Sequence, residues 1–403
     1  MGLVRVSEAV PTFAELTTMR VGGPAPHLTV ATTEAELVAI AADAYASGEP
    51  VLLLGGGSNT VVADEGFDGT VIRIATAGVQ RVQSGDGGSG HPDAVRLRVQ
   101  AGESWDTLVA FAVRNRWAGI EALSGIPGSV GAAPVQNIGA YGQELSSVLV
   151  AVDFLDAVTG DVRRLTAADL ELGYRTSLLK RGLEGVVIAV ELELLQRPDV
   201  GAALGEPIAY GQLANALAVD VGSRVSLGEM RRTVLGLRAS KGMVLDPDDP
   251  DSVSAGSFFT NPIVSARFAR TLPADAPRWP LAPEEPDLVA ALDGSTADES
   301  TTVGLLAEAA ADRERHRARV ESAEGPGVKL SAAWLIEQAG ISRGFALPGS
   351  GAAISSKHTL AITNRGGASA LEVAQLASFV QGRVQAEFGV LLHPEPVLVG
   401  LEL

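Results

Sequence analysis

"PVLLLGGGSNTVV", residues 50–62, decides the reading of this chain. Val51–Leu54 is a short apolar run of the kind that forms a buried strand. Gly55, Gly56 and Gly57 then strip the backbone of side chains where a strand would normally keep packing. Two explanations stand at this point. The glycines form a plain tight turn, or their exposed N–H groups form a nest that takes an anion such as a phosphate. No Gly-Lys-Ser/Thr follows, so this is not a Walker loop. The chain continues into "SNTVV" rather than a helix, so it is not the dinucleotide fingerprint of a Rossmann fold.

Working outward, "TTEAELVAIAADAYASGEP" (32–50) reads as a helix, with Thr33 and Glu36 spaced as a capping box and Gly48 near its end. "GTVIRIAT" reads as a strand. A second α/β block follows, with "AVRLRVQAG" as strand and "SWDTLVAFAVRNRWAG" as helix. The polar segment 84–93 between the blocks is read as a hairpin tip. "VLVAVDFLDAVTGDVRRL" (148–165) gives two strands around a Thr-Gly-Asp turn, and "GVVIAVELELL" (185–195) another strand. Helices are expected at 226–242, with Ser226 and Glu229 as a box, and at 303–323, 331–340 and 369–389. Residues 273–301, rich in proline and acid, read as an exposed insertion.

A chain of 403 residues exceeds one comfortable core, so two or three domains are expected. There is no run of about 18 uncharged apolar residues and no basic-then-apolar leader at the N-terminus, so a cytoplasmic protein is expected. The absence of cysteine excludes disulfides, thiolate metal sites and cysteine nucleophiles. The five histidines are scattered without metal-ligand spacing, so no metal is expected. A net charge of -17 argues against nucleic acid as a partner, which needs a basic face. An anion can still be held in a local basic pocket.

Five further segments carry candidate chemistry. "EALSGIPGSVGAAPVQNIGAYGQEL" (121–145) is rich in glycine and nearly uncharged, which suits irregular backbone packed on a flat apolar ligand such as a flavin. A tight glycine-rich core turn is the alternative. "GYRTSLLK" (173–180) sets an arginine and a lysine in apolar surroundings. "AGSFFTNP" (255–262) puts Ser257 and Asn261 beside two phenylalanines. "LRASKG" places Arg238 and Lys241 at a helix end, where the dipole alone also accounts for cations. "LLHPEPVLVG" (391–400) holds Glu395 between two prolines.

Taken in order, "LLLGGGSNTVV", "GIPGSVGAAPVQNIGAYGQEL", "GYRTSLLK", "AGSFFTNP" and "HPEP" resemble the bacterial UDP-N-acetylenolpyruvoylglucosamine reductases, from about "TTMRVGG" to the C-terminus. The resemblance implies an α+β chain. A PCMH/vanillyl-alcohol-oxidase-type FAD-binding domain of two α+β subdomains (11–75 and 76–243) precedes a MurB-type substrate-binding α+β domain (244–385) and a tail (386–403) carrying Glu395. It implies non-covalent FAD, NADPH as co-substrate, and reduction of UDP-N-acetylglucosamine enolpyruvate to UDP-N-acetylmuramate in peptidoglycan precursor synthesis.

The resemblance also assigns roles. Gly55, Gly56, Gly57, Ser58 and Asn59 would wrap the FAD pyrophosphate. Gly125, Ile126, Pro127, Gly128, Ser129, Gly131, Ala132, Asn137, Gly139, Ala140, Tyr141 and Gly142 would line the flavin, with Val187 and Arg238 completing the cofactor set. Hydride would pass from flavin N5 to the vinyl carbon, Arg175 and Glu395 would stabilise the enolate, and Ser257 would protonate it. Tyr210 in "IAYGQL", Lys241, Asn261 and Gln338 in "WLIEQ" would bind the sugar nucleotide, and "AYGQL" points to the branch with a tyrosine-bearing loop. A monomer acting on small molecules is implied, with no nucleic acid and no membrane. The 84–93 and 265–327 regions are longer and more acidic than the compact family pattern.

Two rival readings compete with this one. An alcohol oxidase of the same fold would often tether its flavin through His or Cys, and the glycine segments contain neither. A sugar-nucleotide binding protein without redox function would have no use for Arg175, Ser257 and Glu395 together.

Overall fold

The computed structural model describes residues 10–83, 91–198, 201–281 and 327–403. The helix expected at 303–323 lies outside the described residues, as do most of the 84–93 tip and of the 273–301 insertion. The chain divides into two compact units. The first comprises Met1–Phe258, Arg343–Ser378 and Glu395–Leu403, and the second Phe259–Ser342 and Phe379–Pro394.

In the first unit, helix Glu34–Ser47 starts where the sequence places it. Thr33 accepts from Glu36 N–H, the Glu36 carboxylate returns to Thr33, and Gly48 closes the helix with φ +73°. Its apolar face, Leu37, Ala41 and Ala44, is buried between two sheets. One is a parallel sheet in the order Leu28–Ala31, Thr70–Ile74, Val51–Leu54, which contributes Ala31 and Ile72. The other contributes Leu155, Val186 and Ile188.

That second sheet is antiparallel, in the order Val162–Thr166, Leu149–Asp156, Gly185–Gln196, Ala94–Gln100, Val79–Val82, with Trp117–Ala118 paired to the end of its longest strand. On Ala94–Gln100 the period-2 pattern sorts the side chains. Val95, Leu97 and Val99 enter a core with Trp105, Leu108, Val109 and Ala112 of helix Trp105–Arg114. Arg96 and Arg98 face the other way.

The arginine face is an ionic ladder. Arg96 reaches Glu191 at 3.2 Å and Glu193 at 3.0 Å. Arg98 reaches Glu34 and Asp153, both at 2.8 Å, and Arg164 reaches Glu191 at 2.7 Å. The Arg96 side chain is only 1% exposed. Arg96→Met removes a buried cation from between Glu191 and Glu193 and is expected to cost about 3–5 kcal/mol, measured as a lowered urea midpoint. Arg164→Met, at a half-exposed cation, should cost no more than about 1 kcal/mol. Equal costs for the two would show that burial does not set the value of this ladder.

Later segments return to the first unit. Ser254–Ser257 pairs with Ala361–Asn364, which pairs with Ala352–Ile354. Asn364 Nδ2 donates to the Met19 and Arg20 carbonyls, and Asp64 accepts the N–H groups of Ala370 and Leu371 at the start of helix Ala370–Phe388. These bonds explain why Arg343–Ser378 joins the first unit, whereas the sequence places it inside a contiguous 244–385 domain. Val397–Val399 adds in parallel to Thr60–Val62, so Glu395 also belongs to the first unit.

The second unit holds a three-stranded antiparallel sheet in the order Ile263–Val264, Val328–Leu330, Arg278–Pro280. It also holds helix Ala332–Gln338, whose Ser331 cap accepts Trp334 N–H.

Candidate active site

The two glycine-rich segments meet. A Cβ at Gly56 would stand 2.8 Å from Gly128 Cα, and one at Gly55 would stand 2.3 Å from Ser129 Oγ. Ser58 Oγ donates to the Pro127 carbonyl at 3.1 Å. The first reason for the bare backbone is therefore close approach of protein to protein. The anion reading keeps its own support: among the described residues, none of the N–H groups of Gly55 to Asn59 donates to a backbone or side-chain acceptor. A row of unspent donors is what a phosphate needs. The second segment is anchored from behind, with Gly131 N–H donating to the Ala101 carbonyl at 2.7 Å and Trp105 N–H to that of Gly128 at 3.0 Å. Ile126 and Pro127 are half-buried, Ser129 is buried and Ala132 exposed.

Arg175 stands on the turn Gly173–Thr176 with φ +54°. Its guanidinium donates to the Gly139 carbonyl at 2.8 Å and the Asn137 carbonyl at 3.4 Å, and its Nε lies 3.4 Å from Glu395 Oε1. An arginine carries five N–H groups, so one on each terminal nitrogen stays available to a further acceptor. Glu395 is fixed at its backbone: its N–H donates to the Phe258 carbonyl at 2.9 Å, and its carbonyl accepts from Asn59 Nδ2 at 3.2 Å. Burial pushes its carboxyl above the usual carboxylate range, against the opposing charges of Arg175 and Lys180.

Ser257 precedes the phenylalanine that holds Glu395. It is half-buried at the end of its strand, and its hydroxyl takes part in no hydrogen bond among the described residues. The structure thus gathers Asn59, Arg175, Ser257 and Glu395 from four distant stretches of chain.

A second cluster carries positive charge. Lys241 Nζ donates to Gln212 Oε1 at 3.1 Å and lies 5.9 Å from the centre of the Tyr141 ring. Tyr210, 46% exposed, meets Tyr141 edge-on with centroids 5.9 Å apart. Arg238 donates to the Met243 carbonyl, while its Nε is buried without a partner among the described residues. Burial lowers the pKa of both cations, and Arg238 lowers that of Lys241 further. Burial raises that of Tyr141, opposed by the Arg238 charge. Cations desolvated in this way are ready for an anion.

Other expected residues sit elsewhere. The Asn137 side chain is spent on Glu144, Ser146 and the Gly173 carbonyl. Gly139 and Ala140 form a two-residue strand with Gln143–Glu144, and Gly142 follows Tyr141 in its turn. Val187 is buried in the core of the antiparallel sheet. Asn261 and Gln338 lie in the second unit: Asn261 Oδ1 caps Ala332, and Gln338 is exposed at a helix end. Lys180 and Gln212 join the charged clusters although no role was assigned to them from sequence. Lys180 was visible as a cation in an apolar stretch, but Glu395, the carboxylate whose charge acts on it, is more than two hundred residues away.

Comparison with known proteins gives two family matches. Residues 25–166 match the FAD binding domain, and residues 248–399 match the UDP-N-acetylenolpyruvoylglucosamine reductase C-terminal domain. The chain is 62% identical to the UDP-N-acetylenolpyruvoylglucosamine reductase of Leifsonia xyli subsp. xyli, over 98% of this chain and 99% of that one. It is 46% identical to that of Saccharopolyspora erythraea, over 97% and 95%. Among solved structures it is similar to the Thermus caldophilus UDP-N-acetylenolpyruvylglucosamine reductase, with TM-score 0.56, 26% identity, and coverage of 97% of this chain and 98% of that one. With matches that span nearly its whole length, the chain belongs to the UDP-N-acetylenolpyruvoylglucosamine reductase family.

Proposed function

We propose that this chain reduces UDP-N-acetylglucosamine enolpyruvate to UDP-N-acetylmuramate with NADPH, using non-covalently held FAD, in peptidoglycan precursor synthesis. The observation that carries the reading is the Arg175–Glu395 pair, hung on the carbonyls of one glycine segment and tied by Asn59 to the other. The unspent N–H row of Gly55 to Asn59 and the orphaned Arg238 Nε fit the phosphates of FAD. FAD, when bound, supplies a two-electron redox centre that NADPH reloads.

The chain's own residues do the rest. Arg175 offers its two remaining N–H groups to the substrate carboxylate and meets the negative charge that grows beside it. Glu395, whose carboxyl burial pushes up against the pull of Arg175 and Lys180, locks the guanidinium in place and stands with Arg175 at the enolate. Ser257, with an uncommitted hydroxyl, hands a proton to the carbon next to the carboxylate. A serine hydroxyl is a weak acid, so the proton must be returned to it through water or a charged neighbour. Lys241 and Tyr210 take the diphosphate, while Asn261 and Gln338 stay assigned to the substrate on the family pattern alone. The reading is of a cytoplasmic monomer whose partners are small molecules, with neither nucleic acid nor membrane; among the described residues no helix is long and apolar enough to cross a membrane.

The test is NADPH oxidation by the yellow holoprotein with and without the enolpyruvyl sugar nucleotide. Rapid consumption that is stoichiometric with added substrate is expected. The same slow rate in both conditions would sink the proposal.

A further inference from the structure

Gly125 has φ +73° and gives its N–H to Asp106 Oδ1 at 2.6 Å. The same carboxylate receives the fork of Arg231, with Nη1 at 2.6 Å from Oδ1 and Nη2 at 2.8 Å from Oδ2. Asp106 is in the first turn of helix Trp105–Arg114, and Arg231 is in helix Leu227–Ala239. One carboxylate therefore ties two helices to the corner of the second glycine segment. Arg238 lies seven residues beyond Arg231, two turns on and on the same helix face. A Cβ at Gly125 would stand 3.4 Å from both Cδ and Nε of Arg238. The Nε without a partner thus lies against the corner that Asp106 holds.

We infer that Asp106 is a positioning residue for the phosphate-bearing cofactor: by clamping Gly125 to Arg231 it fixes where the unpaired edge of Arg238 stands. This rests on the FAD reading above. A carboxylate near an anion site is normally a liability. Here the Arg231 fork neutralises it, which gives that arginine a purpose besides tethering. Burial pushes the Asp106 carboxyl up, but the Arg231 fork and the Gly125 N–H outweigh burial and hold it below the usual carboxylate value. It therefore stays a pure acceptor at neutral pH.

The experiment strips flavin from the full-length protein and titrates FAD back by fluorescence quenching, alongside urea midpoints of the flavin-free forms. Asp106→Ala should raise the FAD Kd by about tenfold or more, the scale seen when a group that orients a ligand-holding residue is removed. It should also shift the visible absorption of the flavin that still binds. Asp106→Asn keeps an acceptor for the Gly125 N–H and should recover part of the loss, a rescue that a merely structural role would not give. Adding Arg231→Met to Asp106→Ala should cost less than the two single losses combined, because Arg231 acts through the carboxylate. An FAD Kd for Asp106→Ala that is unchanged within about twofold, or tighter, overturns the inference, as do fully additive losses. A wild-type chain that takes up no FAD would instead overturn the reading on which this one rests.

Discussion

Replacing Ser257 with alanine will leave reduction of the bound flavin by NADPH nearly unchanged and slow its reoxidation by the enolpyruvyl sugar nucleotide by about 10²- to 10⁴-fold, the usual worth of a general acid. The first half-reaction protonates no carbon, and the second ends with a carbanionic centre that must be protonated. The strand position of Ser257 supports this split. Its backbone is held by pairing with Ala361, and the neighbouring Phe258 N–H donates to the Leu360 carbonyl. Removing one oxygen should therefore leave the backbone in place. Stopped-flow absorbance of the two halves is the check. Equal slowing of both, or of neither, would take Ser257 out of the chemistry.

Gly56→Val is the second large effect. A Cβ there is already 2.8 Å from Gly128 Cα, and the valine methyls deepen the clash. Overpacking costs about 1–3 kcal/mol, here charged to the fit between the two segments. If both hold FAD, its affinity should fall by on the order of ten- to a hundredfold, and the dialysed protein should lose its visible absorbance. Full flavin occupancy after dialysis would show that neither segment forms the cradle. Leu54→Ala, a core truncation two residues earlier at the end of the strand, separates the effects: it should lower stability while leaving flavin occupancy per folded molecule intact.

How much of this was legible follows from the range of each interaction. Thr33 and Glu36 are three residues apart, so the capping box could be read directly. "AVRLRV" announced a strand by its period, and the buried Val95, Leu97 and Val99 bear that out. The same stretch hid the ladder, because Arg96 meets carboxylates about ninety-five residues later, and register across strands is not a local property. Strand Ser254–Ser257 was not foreseen. It is short, it contains Gly256, and it exists because Ala361–Asn364 lies beside it. Asp106 drew no role from the sequence. Only the fold brings Gly125 and Arg231 to it. The candidate residues around Arg175 were visible as motifs, but their mutual anchoring, carbonyl by carbonyl, was not.

The meeting of Gly56 with Gly128 has an evolutionary consequence. Most packed pairs can drift together, one side chain shrinking as its partner grows. Here both partners already carry the smallest side group available, so no second substitution can make room for a first. The pair is therefore frozen one residue at a time. Across descendants of this sequence the two positions should show no correlated change, and methods that infer contacts from co-varying columns will miss this close approach of backbone to backbone.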